Sequence, residues 1–156
     1  MTRRRPLAVI ALLLGTVAGA DDNRAHVNYM LHCQGCHLPD ANGVGDDVPR
    51  MKDFLGYFLH DARGREFVVQ VPGVATAQLA DEEIAELLNW LLVRYSEEQL
   101  PKNYVPYTAA EVGALRRTPI SDPAERRREL LRGIAAANPD LRGGLDAYRA
   151  SGEQGD

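Results

Sequence analysis

Cys33-Gln34-Gly35-Cys36-His37 places the chain's two cysteines one helical turn apart with a histidine directly behind them. Two cysteines cannot build a disulfide scaffold or a four-cysteine zinc site. They do not need to, because 156 residues at 45% hydrophobic and 26% charged can bury a core as one domain with an appendage. The formal charge of −4 argues against nonspecific binding to nucleic acid.

The pattern C-x-x-C-H is the attachment sequence for c-type haem. Two thiols on one turn can both reach the vinyl groups on one porphyrin edge, and the next residue projects its imidazole under the iron. Cys33 and Cys36 would then hold one covalent haem c by thioether bonds, with His37 as proximal ligand. Other uses of the pair compete. A redox dithiol belongs at the start of a helix after a strand, and no such pattern precedes Cys33. Zinc would need a second ligand pair. A structural disulfide stays open but leaves His37 unexplained.

Residues 1–20 read as a secretory signal peptide: Arg3, Arg4 and Arg5, an apolar run from Pro6, and the small-residue end Ala18-Gly19-Ala20. The run is shorter than the ~20 residues of a membrane span, so the chain stays on a membrane only if this segment is uncleaved. Export suits haem attachment and predicts a periplasmic protein. Cleavage would remove three of the 18 basic residues and none of the 22 acidic ones.

Asp22 to His32 reads as a short helix, with Tyr29, Cys33 and Cys36 on one stripe. Pro39, Gly43, Gly45 and Pro49 mark a loop, and Lys52 to His60 a second short helix. Arg63 to Val71 fits a strand by its β-branched run and a short helix by its length. Asp81 to Tyr95 is the clearest helix, with Ile84, Leu87, Leu88, Leu91, Leu92 and Tyr95 on one face. Thr108-x-x-Glu111 is a capping box opening Ala109 to Arg117, and Asp122-Pro123 opens a helix to Ala137. The divisions follow: signal peptide 1–20, haem domain 21–96, helical extension 97–137, flexible tail 138–156. Val112, Leu115, Leu130, Leu131 and Ile134 suit an extension that clasps the domain.

Over about Asp22 to Tyr95 the chain resembles the class I cytochrome c family. The resemblance rests on the haem motif, on Asp40-Ala41-Asn42-Gly43-Val44-Gly45, on Val48-Pro49-Arg50-Met51, and on Asn89-Trp90 in the last helix. It implies an all-α, cytochrome c-like domain wrapped around one covalent haem, its first and last helices crossing with Tyr29 and Trp90 nearby. It also implies that the Pro49 carbonyl accepts a hydrogen bond from the proximal imidazole.

The family usually carries a methionine on the loop before the last helix. Here that loop, Pro72 to Ala80, holds no Met, His or Lys. Met51 is the first candidate for the sixth iron ligand, against an alternative role packing on the haem. His60 is the second, and an open distal face the third. Met30 is expected in the core. Among Arg50, Lys52, Arg63 and Arg65, one could pair with a haem propionate, against a solvated charged face. Arg116-Arg117 and Arg126 to Arg128 are expected on helix surfaces, the latter beside Glu125 and Glu129.

No nucleophile–base pair stands out. The expected function is therefore not enzymatic: a monohaem electron carrier between a dehydrogenase and a downstream acceptor, working with redox partner proteins. The alternative is a haem enzyme or small-ligand-binding protein with open coordination.

Overall fold

A computed structural model describes residues 18–44 and 48–150. The greater part of the signal-peptide segment, residues 1–17, lies outside the described residues. The described chain is all-α: α1 (Ala18–His32), α2 (Gln34–His37), α3 (Ala62–Gln70), α4 (Pro72–Ala75), α5 (Asp81–Ser96), α6 (Ala109–Leu115), α7 (Pro123–Ala137) and α8 (Arg142–Ala150). Short 3-10 turns at Leu55–His60, Glu97–Gln99 and Pro139–Leu141 join them.

α5 is the hub. Its N-terminus carries Asp81, Glu82 and Glu83 against the positive end of the helix dipole. Glu83 Oε2 accepts from the Ala80 amide at 2.9 Å, satisfying a donor just outside the first turn. The apolar arc is wider than one stripe and faces two cores. Ile84, Ala85, Leu88 and Leu92 enter the larger cluster, with Phe54, Phe58, Phe67 and Val68. Leu87 and Leu91 enter a smaller one, with Tyr29 and Ala41. α1 crosses α5 through this smaller cluster, where Trp90 lies 5.7 Å from Tyr29 between ring centroids and 5.3 Å from His26.

The ambiguous segment is the helix α3. Asp61 caps it, its Oδ1 accepting from the Arg63 amide at 2.8 Å. Phe67, Val68 and Val69 are buried, so tertiary packing outweighs the β-branched preference. Val71, which precedes Pro72, leaves helical geometry at ψ 138°, as a pre-proline residue does.

The extension clasps the domain as expected: Val112, Leu130, Leu131 and Ile134 share the larger cluster with α3 and α5. The expected tail is corrected over 139–150, where a helical turn and α8 bring Leu145 and Tyr148 into that cluster at 2% and 3% exposure. Tyr148 stacks on Phe54 with ring centroids 3.6 Å apart. Met30 is likewise corrected: it is 50% exposed.

Candidate functional site

The Cys–His turn is built as a continuation of α1. The Cys33 amide donates to the Tyr29 carbonyl at 2.9 Å, and the Cys33 carbonyl accepts from the amides of Cys36 and His37 at 3.1 and 2.9 Å. One turn of backbone therefore carries both sulfurs and the imidazole. The two cysteines form no disulfide with each other. Cys33 is half-buried against the Tyr29–Leu87–Leu91 cluster, whereas Cys36 is exposed. Burial, with Cys36 adding, pushes the Cys33 thiol up to about 11.

His37 is half-buried, with its Nδ1 atom fully covered. Burial lowers its pKa, and the backbone of Pro49 partly offsets this by favouring the protonated ring. The contact falls short of a closed hydrogen bond, because Nδ1 is buried with no partner at bonding distance and angle. Such an atom suits a ring whose other nitrogen binds a metal while Nδ1 faces a carbonyl. Paired sulfurs, imidazole and orphaned nitrogen thus fit a covalently held haem. Asn28 Nδ2 is also buried without a partner, and nothing in the structure explains it.

The segment behind His37 is tightly held. Leu38 and Ala41 take positive φ, 65° and 61°, in a sharp turn. Gly43, at φ 72°, donates to the His37 carbonyl at 3.1 Å. A Cβ on Gly43 would meet the Val48 carbonyl oxygen at 2.0 Å, so a side chain is excluded there. Met51 and Lys52 amides both donate to the Ala41 carbonyl, at 2.9 and 3.1 Å, which fixes the Pro49–Met51 stretch beside the motif. Two tyrosines complete the turn: Tyr29 Oη donates to the Leu38 carbonyl, and Tyr95 Oη to the Pro39 carbonyl at 2.8 Å. Burial is the main cause that raises the Tyr29 pKa, so the ring stays a neutral donor. Their spacing placed both rings on apolar stripes, and nothing in it announced these hydroxyl contacts.

Of the candidates for a sixth ligand, Met51 is partly buried and packs with Cys33 against the smaller cluster. His60 is engaged elsewhere, its Nε2 lying 3.0 Å from the Gln99 carbonyl oxygen. The basic residues do not share one task. Arg50 lies over the Tyr148 ring, and Arg63 pairs with Asp61. Arg65 forks onto Glu111 at 2.6 and 2.8 Å, so of the four propionate candidates this one has a structural role. Arg126 and Arg128 pair with Glu129 and Glu125 as expected. Arg116 is not on the surface: its side chain is 18% exposed.

No family model matches the chain. It is 30% identical over 138 residues to a cytochrome c-552 of Thermus thermophilus, covering 75% of this chain and 92% of that protein. A second Thermus thermophilus cytochrome c-552 is 30% identical over 117 residues, covering 62% of this chain and 89% of its own length.

Proposed function

The chain belongs to the c-type cytochromes, and from that membership we propose that it is a class I, monohaem, single-electron carrier working in the periplasm. Its donor would be a dehydrogenase and its acceptor a downstream redox protein. Bound haem supplies one-electron exchange at its iron. The chain would supply attachment through Cys33 and Cys36, and an iron-binding imidazole from His37. Pro49, through its backbone carbonyl, orients that ring. A single C-x-x-C-H in the sequence favours one haem. The observation that carries the reading is the shared turn of Cys33, Cys36 and His37 with the His37 Nδ1 buried and turned to no other partner.

The sixth position separates a closed carrier from an open-iron protein. Met51 remains the first candidate, and His60 would have to leave Gln99 to serve. An open iron is the second reading, favoured by the Pro72–Ala80 segment, which has no Met, His or Lys. Purification after coexpression with maturation factors tests the haem itself: protein without covalent haem refutes both readings. The ligand is tested by carbon monoxide on the reduced protein. A closed carrier resists it, and an immediate, complete spectral shift favours the open iron. If the oxidised protein has a methionine-ligand band, Met51→Ala should abolish it; a band that survives removes Met51 from the site.

A further inference from the structure

Residues 76–80, between α4 and α5, form no helix, yet their backbone is held from outside by one side chain. Arg116, following α6, donates from Nε to the Ala75 carbonyl at 3.1 Å and from Nη2 to the Ala77 carbonyl at 2.6 Å. Its Nη1 donates to the Leu79 carbonyl at 2.9 Å and to Asp81 Oδ1 at 3.0 Å. The planar guanidinium presents five N–H donors in a rigid fork, and here it spans three carbonyls and a carboxylate.

The approach is built in. A Cβ on Gly113 of α6 would meet Asp81 Oδ2 at 2.3 Å, so glycine allows α6 to lie against the start of α5. The same stretch of the extension secures the end of α3. The Ile120 amide donates to the Gln70 carbonyl at 3.0 Å, and Gln70 Nε2 to Thr118 Oγ1 at 2.9 Å. Residues 70–81 are therefore fastened at both ends by residues 113–120. The loop's own polar side chains turn back on it: Thr76 Oγ1 donates to the Pro72 carbonyl at 2.8 Å, and Gln78 Nε2 to the Thr76 carbonyl at 3.2 Å.

Leu79 of this segment packs on the same small cluster that receives Cys33 and Met51, which puts the segment beside the haem-attachment turn. We propose that Arg116 is a positioning residue that fixes the Pro72–Ala80 segment through its backbone and thereby sets how readily a small ligand reaches the haem iron. The inference rests on the chain carrying haem with an iron that carbon monoxide can reach; a wild type that resists carbon monoxide counts against that open-iron reading, and the exchange readout then decides on Arg116. The segment has no side chain of the usual ligating kinds, and the guanidinium supplies the tether instead.

The test compares wild-type holoprotein with Arg116→Gln and Arg116→Lys. Amide exchange over residues 72–80 and the carbon monoxide association rate of the reduced protein are the two readouts. Arg116→Gln should speed exchange over 72–80 by about tenfold, with α1 and α7 unchanged, and raise the association rate by a similar factor. Arg116→Lys should fall short of full rescue, since an ammonium cannot span the same acceptors. A change within about twofold in either readout overturns the proposal. Should Arg116→Gln fail to fold, Arg116→Lys decides by the same criteria. Covalent haem is scored separately, so its absence counts against the proposed function while the exchange readout still decides on Arg116.

Discussion

Three attractions converge on the guanidinium of Arg65. It forks onto Glu111, donates to the Val105 carbonyl at 2.7 Å and lies 4.0 Å over the Tyr107 ring. Tyr107 Oη donates back to the Arg65 carbonyl at 2.8 Å, closing the link between α3 and the extension. The hydrogen bond from Arg65 is the largest cause holding the Glu111 carboxyl below its usual range. A depressed carboxyl contributes stability that is present above its unfolded value, about 4.3, and is lost as pH falls through the folded one. Urea midpoints should therefore fall less between pH 7 and acid in Glu111→Gln than in wild type; equal losses would remove the pair from the acid limb. Asn89 is a second such residue. Its Oδ1 accepts from the Tyr107 amide at 2.7 Å and Tyr104 Oη at 2.8 Å, and its Nδ2 donates to the Tyr107 carbonyl at 3.0 Å. Asn89→Ala should cost about 1–3 kcal/mol in denaturant unfolding, because it leaves half-buried groups unpaired. Spacing announced Cys33, Cys36 and His37, since their chemistry is local. It was silent on Arg65 and Asn89, whose partners lie 46 and 18 positions away.

The helices divide by how local their signals are. α5 and α7 are legible because an apolar stripe and an N-terminal signal agree: Asp122 Oδ1 accepts from the Glu125 amide at 2.9 Å before Pro123. The Thr108 cap also forms, with Oγ1 accepting from the Glu111 amide at 3.2 Å. The Glu111 carboxylate, the other half of that capping box, is held mainly by Arg65, with the Thr108 backbone as a lesser partner. α3 was ambiguous because its valines favour strands and only burial decides between the two. α8 looks like tail in the sequence because its short, glycine-bearing stretch shows only two large apolar residues, Leu145 and Tyr148. Burial of those two is a tertiary event. Leu145→Ala should destabilise the protein by about 2–5 kcal/mol, measured by urea unfolding. A loss near zero would mean that α8 is not docked in solution.

Across the whole molecule, the two apolar clusters are joined by α5, with Leu88 in one and Leu91 in the other. The smaller receives Cys33 and Met51, and the larger receives the extension and α8. A helix shared by both predicts one cooperative unit. Leu88→Ala and Leu91→Ala should each lower stability by about 2–5 kcal/mol. In each variant, far-ultraviolet dichroism and haem absorbance should report coincident unfolding. Separate transitions would show that the clusters melt independently. The crossing of α1 and α5 has one more consequence. Trp90 is the sole tryptophan of the chain and is wedged there between His26 and Tyr29. A covalent haem beside this junction would quench indole emission by energy transfer, so that emission is a built-in optical gauge of how near Trp90 lies to the cofactor. Stopped-flow refolding of the holoprotein can time when α5 closes on the haem-bearing turn, without a dye and without labelling any other part of the protein.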